Sequence, residues 1–571
     1  MATAAAAAVA TVAAVDAAVA KCAGGAVAGS WCRADVPPVI KPMSFRRVSL
    51  VRTQMGTKER LQPLRAAPLR TEPSLSQDSS VFVFPRAQAG KPLIGFGGSF
   101  TEAATVSLRK LGKETWDEVM KAYFDPDHGL GYTIGRVHIG SCDFSESSWT
   151  CGDLQEGDHE LKDFSLDYYE TLDILPMIRQ AAAIAKEPIQ LLASPWSPPP
   201  WMKTKRQFHG DGHLLESCRG VWALHYVKFV QEMAKRGAPI WAISVQNEPE
   251  ASQIWESCIY TATEERDFIR DHLGPMLHEH GLADLKVLFW DHNRDGMLER
   301  AAITYADAEA AKYIWGMCWH WYGDPRFESW PPRHEVTYSD RQQGEKRIFE
   351  LKGRAGFDNV RKVAELRPDK HLIFSEGCQE LSGRPLSQLM GDWKLGERYA
   401  LNIINDLNSG CEGFIDWNLC LDETGGPNHV GNTCSAAVIC DSVSQRARYQ
   451  PIFWYIGHFS RYIQPGARRV ACSTSRDTLE VTAFLNVDGK LSVVVMNQSD
   501  LEESFWLKIA TEDGPEPFTA AWIDAPARSI VTLVADDQVA EDPSVLERIR
   551  GVFTTTTSDA PPLEPWQKHS Q

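Results

Sequence analysis

Two glutamates follow short apolar runs of the chain, where an ionised side chain needs a structural or chemical reason. Glu248 stands in QNEPE after the run 240–245, and Glu376 stands in SEG after the run 372–374. A carboxylate left bare in apolar surroundings costs several kcal/mol, so each must be solvated, paired or used in chemistry. Two facing carboxyl groups, one protonated and one ionised, can cleave a glycosidic bond. We interpret Glu250, the last residue of QNEPE, as a solvated charge.

Short apolar runs alternate with helical periodicity, such as 113–123, 219–235 and 263–278, over residues 92–451. This alternation is typical of parallel βα units and predicts a (β/α)8 TIM barrel, an α/β fold. Reactive residues lie at the C-terminal ends of barrel strands, so barrel closure would bring Glu248 and Glu376 to one mouth. The eight runs are 93–97, 132–139, 189–194, 240–245, 285–290, 314–319, 372–374 and 413–415.

The chain ends differ from this pattern. Strand-like alternation occurs at 48–55 and 81–84, and again after residue 451, where Asp488-Gly489 separates two apolar runs in a strong hairpin signal. We therefore predict a β-sandwich domain that flanks the barrel and is built from both chain ends, residues 45–91 and 452–536. The Ala-rich residues 1–44 are predicted to be a low-complexity, disordered extension, and 537–571 a disordered tail.

Composition excludes several classes of function. A formal net charge of -16 and no basic block argue against nucleic acid as a partner. Thirteen cysteines cannot all pair within one chain. Cys142 with Cys151, and Cys434 with Cys440, are close enough in sequence to pair or bind metal, and we expect them to be free or locally paired. The nineteen tryptophans indicate either an aromatic core or surfaces that stack on sugar rings. The N-terminus is a poor signal peptide, which favours an intracellular location over a lysosomal, secretory or organellar one.

Eight segments together resemble one family of enzymes, glycoside hydrolase family 30, and within it the glucosylceramidase type. The resemblance extends from about residue 45 to about residue 535. The segment after NEPE, ASQIWESCIYTATEERDFI, is closer to microbial members of the family. The segments are GFGGSFTEAA, GRVHIGSCDFS, LLASPWSPPPWMK, NEPE, WHWY, FSEGC, DWNLCLDETGGPNHVGN and GHFSRYIQPGARRV.

The resemblance implies roles for individual residues. Glu248 would be the acid/base and Glu376 the nucleophile, with neither cofactor nor metal. Asn247 could bond the sugar 2-hydroxyl, Tyr322 could donate to Glu376, and Arg136 could keep Glu376 ionised. For the tryptophans, core packing is the alternative to substrate stacking. The residues matching the sugar pocket are Arg136, Asp143, Trp196, Asn247, His320, Tyr322, Trp417 and Asn432.

The sequence thus predicts a retaining β-glycosidase acting on glucosylceramide or a related β-glucoside. A β-1,6-glucanase or β-xylosidase of the same family is one alternative, and an inactive carbohydrate or glycolipid binder is another. The expected partner is the substrate itself, with contact to a membrane surface through a glycolipid. An activator protein is left undetermined.

Overall fold

The computed structural model describes residues 44–72, 79–152, 154–322, 336–342, 345–351, 356–511 and 518–538. The sequence predictions for 1–43 and 539–571 lie outside these residues.

Eight parallel strands close into a barrel. Each coincides with one of the predicted apolar runs, which confirms the (β/α)8 fold. Parallel strands buried on both faces read as continuous apolar runs, and seven of these strands are almost wholly buried for that reason. In barrel order from the chain's N-terminal side, the strands are Gly95–Ser99, Ile134–Ile139, Gln190–Pro195, Ile240–Ser244, Lys286–Asn293, Gly316–His320, His371–Glu376 and Gly413–Asn418.

Helices follow most of the barrel strands. The predicted helix 263–278 is instead three consecutive pieces, Ala262–Phe268, a π-turn Ile269–Leu273, and Gly274–Glu279. Pro275 has no N–H to donate, which accounts for the wider turn before it. The remaining helices are Glu102–Arg109, Gly112–Phe124, Asp167–Thr171, Ile174–Ala185, Arg219–Lys235, Met297–Tyr305, Ala308–Ala311, Phe357–Leu366, Trp393–Ser409 and Pro451–Ser460, with 3₁₀ turns at Pro200–Met202, Glu216–Cys218 and Leu386–Gln388.

Both chain ends build a separate ten-stranded sheet, as predicted. Strand Arg47–Gln54 pairs antiparallel with Ser529–Asp536 over its whole length, so the beginning and end of the described chain lie side by side. The hairpin predicted at Asp488-Gly489 joins Leu479–Leu485 to Leu491–Asn497. In sheet order the strands are Gln62–Pro68, Arg47–Gln54, Ser529–Asp536, Leu491–Asn497, Leu479–Leu485, Arg468–Thr474, Ser80–Ala89, Phe505–Ala510, Phe518–Ile523 and Arg70–Glu72.

Three small sheets are separate from the barrel and from the ten-stranded sheet. They are Val336–Gln342 with Glu345–Leu351, Gln379–Glu380 with Cys434–Ser435, and Cys420–Asp422 with Val438–Asp441 and Arg446–Tyr449. The second of these ties together the loops that follow the seventh and eighth barrel strands. Within the described residues, no helix combines the length and apolarity needed to cross a membrane.

Candidate active site

The two predicted carboxylates meet at the barrel mouth. Glu376 is the last residue of the seventh strand, and Glu248 lies in the segment just after the fourth. Both face one atom, His320 Nδ1, which is 3.3 Å from Glu248 Oε1 and 3.9 Å from Glu376 Oε1. Two carboxyl groups this close to one side chain can act together on a single glycosidic bond.

Arg136, on the second strand, is fully buried and connects three side chains beneath the mouth. Its guanidinium donates to Glu376, to Asn247 Oδ1 at 2.8 Å and to Asp291 Oδ2 at 2.8 Å. Because Arg136 occupies the Asn247 oxygen, the amide nitrogen of Asn247 is the group oriented to donate to a ligand.

Asp291 is the central acceptor of this site, and it is not among the residues predicted from the sequence. Its carboxylate accepts from Ser244 Oγ and Ser375 Oγ, both at 2.6 Å, and contacts His320 Nε2 at 3.0 Å. Burial opposes ionisation, but Arg136 and His320 hold the pKa of Asp291 well below its usual range. The available signal was its place at the carboxyl end of the fifth apolar run, in FWD.

The backbone beside the carboxylates is strained. Glu248, Trp290 and Asp291 have φ angles of 47°, 77° and 46°. Non-glycine residues rarely adopt this left-handed region, and such strain concentrates at functional sites. The Glu248 N–H donates to the Asp291 carbonyl at 2.9 Å, which fastens the two strained positions to each other.

His320 and Glu248 can share one proton across their hydrogen bond. Although burial lowers it, contacts with Glu376, Asp291 and Glu248 raise the pKa of His320 to about 9. With Nε2 donating to Asp291, Nδ1 can donate to an ionised Glu248 or accept from a protonated one. The hydrogen bond can therefore hold its proton on either partner.

The two carboxyls do not titrate independently. Burial, opposed by His320 and Arg136, raises the pKa of Glu376, whereas at Glu248 the contacts with His320, His292 and Arg136 together outweigh burial and lower the pKa. An acid at Glu248 and a nucleophile at Glu376 need the opposite order. The Arg136 charge beside Glu376 is permanent, whereas the His320 charge is the same proton that Glu248 would use, so the contacts favour Glu376 as the ionised carboxylate.

A cavity of about 230 Å³ opens above these groups. Its buried Trp196 and Trp417 rings stack 5.2 Å apart, with the Arg136 guanidinium 4.7 Å from the Trp196 ring. Flat aromatic faces and fixed polar groups are what a sugar ring requires. The cavity is lined by Asp143, Phe144, Trp196, Asn247, Glu248, Gln253, Trp255, His292, Asn293, Tyr322, Glu376, Cys378, Glu380, Trp417, Asn432 and Cys434.

Asp143 provides the buried polar group on the tryptophan side. Its Oδ2 accepts from Asn428 at 3.2 Å and from Asn432 at 3.1 Å. Burial and the charge of Glu376 raise the pKa of Asp143 to about 8, against the opposing bond from Asn432. Near neutral pH its carboxyl can therefore donate as well as accept.

Two predicted residues, Arg136 and His320, lie beneath the cavity rather than on its wall, because the carboxylates cover them. The expected Tyr322 bond to Glu376 is absent among the described contacts, since the Tyr322 hydroxyl donates to Cys378 Sγ at 3.1 Å. Trp321 belongs to the core: it is fully buried and donates to the Cys378 carbonyl.

Glu256 connects three loops at the mouth through an ion pair and a hydrogen bond. Glu256 lies after the fourth strand, and its carboxylate is 3.4 Å from Nε2 of His429, which lies after the eighth strand. The same carboxylate accepts a hydrogen bond at 2.6 Å from Oγ of Ser141, which lies after the second strand. His429 Nδ1 faces the Ser145 carbonyl at 3.1 Å. Both ring nitrogens face acceptors, which favours the charged imidazole, and the contact with Glu256 raises the pKa of His429.

Comparison with known proteins agrees with this architecture. Residues 93–463 match the model of the glycosyl hydrolase family 30 TIM-barrel domain, and residues 466–533 match that of the family's β-sandwich domain. The chain belongs to glycosyl hydrolase family 30. It is therefore a glycoside hydrolase by family, with the barrel and sandwich expected of family 30.

The individual proteins that this chain resembles carry different names. Lysosomal acid glucosylceramidase of Mus musculus is 34% identical over 71% of this chain and 75% of its own. The crystal structure of SrfJ from Salmonella typhimurium has a TM-score of 0.74 at 30% identity, covering 86% of this chain and 100% of that one. An endo-β1,6-glucanase structure has a TM-score of 0.69 at 25% identity with the same coverage.

Proposed function

We propose that this family 30 enzyme is a retaining, exo-acting β-glucosidase that cleaves glucosylceramide or a related β-glucoside. The observation that carries the proposal is the small cavity that places Asp143 and the Trp196–Trp417 stack beside the Glu248 and Glu376 carboxylates. Its volume of about 230 Å³ is below the roughly 300 to 1,000 Å³ of pockets for drug-sized ligands, which suits one terminal sugar.

The carboxylates act in turn in this mechanism. Glu376, paired with the permanent charge of Arg136, attacks the anomeric carbon while Glu248 protonates the departing oxygen. A covalent glycosyl-enzyme results. Glu248, now ionised, takes a proton from water, which attacks the same carbon and releases Glu376. Asn247 donates to a sugar hydroxyl, and Asp143 binds hydroxyls at the other side of the ring.

A β-1,6-glucanase is the second candidate, favoured by the structural likeness to an endo-β1,6-glucanase. Glucosylceramide stays first because the mouse glucosylceramidase is more similar in sequence. An endo-acting enzyme needs a cleft open at both ends, whereas the buried Asp143 and tryptophans fit a chain end.

A substrate panel tests the proposal. Fluorescent glucosylceramide in mixed micelles, an aryl β-glucoside, an aryl β-xyloside and β-1,6-glucan are compared by kcat/KM. We expect turnover of the two glucosides and no early loss of β-glucan viscosity. Rapid viscosity loss with little free glucose would establish the glucanase instead, and preference for the xyloside a xylosidase. Binding without turnover of any substrate would identify an inactive binder.

A further inference from the structure

Two cysteines form part of the cavity wall and are unused by the mechanism above. Cys378 lies two residues after Glu376, and Cys434 two residues after Asn432. Both are free thiols and both line the cavity. The Cys378 thiol donates to Cys434 Sγ at 3.1 Å. Spacing in the sequence favours Cys440 as a partner of Cys434, but the thiol that contacts Cys434 in the fold is Cys378.

The backbone holds these sulfur atoms together. Strand Gln379–Glu380 pairs antiparallel with Cys434–Ser435, so the two loops are fastened next to the thiols. A disulfide has an S–S distance of about 2.05 Å, so bond formation needs a movement of about 1 Å.

We propose that Cys378 and Cys434 are an oxidisable thiol pair whose disulfide, formed by a peroxide, inactivates the glycosidase. The Cys434 sulfur attacks one peroxide oxygen, giving a sulfenic acid and releasing the other oxygen as water. The Cys378 sulfur then attacks Cys434 Sγ and a second water leaves. Two thiols and one hydrogen peroxide thus become one disulfide and two waters.

The contacts favour Cys434 as the first sulfur to react, because it receives the hydrogen bond from Cys378. That bond lowers the pKa of Cys434, although burial and the nearby carboxylates together leave it above its usual value, and burial raises the pKa of Cys378 well above its own. The thiolate is the form that attacks a peroxide, so the raised pKa values make the reaction slow near neutral pH and faster as pH rises. Hydrogen peroxide is small and neutral, and both thiols line the cavity that it would enter.

The new bond would disturb two groups that bind or attack the sugar. Drawing Cys378 toward Cys434 moves the segment that carries Glu376 and alters the sulfur to which Tyr322 donates. Cys434 is equally close along the chain to Asn432, which orients Asp143. A misplacement of about 1 Å in an active site can cost about 100-fold in rate. We expect oxidation to lower kcat/KM by at least tenfold.

The test treats the full-length enzyme with hydrogen peroxide and follows both activity on an aryl β-glucoside and the disulfide-linked peptides by mass spectrometry. The expected result is a Cys378–Cys434 crosslink whose yield matches the loss of activity, both reversed by dithiothreitol. Cys434→Ser should keep whatever activity it has through the same treatment. Cys420→Ser should stay peroxide-sensitive, since Cys420 is buried against the Ala104 carbonyl, away from the cavity wall.

Three results would overturn the proposal. They are absence of the crosslink, a crosslink without loss of activity, and equal inactivation of Cys434→Ser. The mass-spectrometric result does not depend on which glycoside is the natural substrate, so it is independent of the proposed function.

Discussion

At the scale of single residues, Glu376 and Glu248 differ in their partners, Arg136 and His320. In Glu376→Ala, azide should enter the vacated space and give an α-glycosyl azide from a β-substrate, because no nucleophile competes on that face. In Glu248→Ala the glycosyl-enzyme still forms from substrates with good leaving groups, and azide should give the β-azide. Proton NMR of the products reads the anomer. The same anomer from both variants would show the roles to be misassigned.

A separate prediction concerns Asp291, which binds Arg136 and His320 but is not part of the cavity wall. Asp291→Asn keeps the size but leaves the buried Arg136 with one carboxylate partner fewer. Breaking a buried ion pair costs about 3 to 5 kcal/mol, so urea unfolding should show a loss of that order together with lower kcat. Asp295→Asn, an exposed change in the turn that follows the same strand, is the control. Unchanged stability in Asp291→Asn would contradict this account.

At the scale of elements, the loops after the second, fourth and eighth strands are held by Glu256 and His429. The His429 loop also carries Asn428 and Asn432, which orient Asp143. Glu256→Gln keeps the shape but removes the charge. We expect KM for an aryl β-glucoside to rise about tenfold, equivalent to about 1.4 kcal/mol, with a smaller change in kcat because the catalytic pair is not touched.

The raised pKa of His429 determines how the effect of Glu256→Gln on KM changes with pH. The pKa of His429 is raised, so the ion pair is present at lower pH and is lost as pH rises through that value. The difference in KM between wild type and Glu256→Gln should therefore close at alkaline pH. Glu250 is on the same loop and half exposed, and it pairs with Arg300 rather than being only solvated. Glu250→Gln should leave KM unchanged, because Arg300 keeps its buried partner Glu265. A difference that is constant with pH would refute the loop-holding role.

At the scale of the whole molecule, His458 connects the barrel to both chain ends. It lies on the buried helix Pro451–Ser460 and bonds Thr532 through Nδ1 and Thr53 through Nε2. Thr532 donates its own proton to the His458 carbonyl, and Thr53 accepts from the Leu61 N–H. Nδ1 must therefore donate, and Nε2 can accept the Thr53 hydroxyl proton, which is the arrangement of a neutral ring.

Burial lowers the pKa of His458 to about 3. The neutral ring thus stabilises the fold fully above pH 6.5, the ordinary value, and loses this contribution as pH falls toward 3. The loss is up to about 1.4 kcal/mol per pH unit. The stability advantage of wild type over His458→Gln, measured by urea unfolding, should shrink between pH 7 and pH 4. The exposed His280→Gln serves as the control. An advantage independent of pH would rule out a neutral, buried His458.

A glycolipid substrate would also bring the molecule to a lipid surface. Ile254, 68% exposed, adjoins the cavity-lining Trp255, and we place the apolar aglycone there. Ile254→Asp should raise KM for glucosylceramide in vesicles by about tenfold, while activity on a soluble aryl β-glucoside stays unchanged. Leu501→Asp, equally exposed on the sandwich, is the matched control. Equal effects of both variants on vesicle substrate would argue against a specific contact at Ile254.

Asn497 shows how tertiary structure changes the meaning of a motif. Asn497-Gln498-Ser499 reads as a glycosylation sequon. Yet Asn497 is buried, and its amide nitrogen donates to the carbonyls of Leu501, Ala525 and Pro526. In the folded sandwich, the Asn497 side-chain nitrogen is therefore not accessible for attachment of a glycan.

The sequence by itself determined the barrel, the sandwich from both chain ends, and Glu248 and Glu376 as the candidate pair. Continuous apolar runs reveal parallel strands, and polar residues after such runs must lie at the barrel mouth. Only the tertiary structure decided the contacts between those strand ends: Asp291 beneath both carboxylates, Cys378 rather than Glu376 as the Tyr322 partner, and His429 against Glu256. Hydrogen bonds and ion pairs depend on distances of a few ångströms between residues far apart in the chain, and local sequence patterns do not encode those distances.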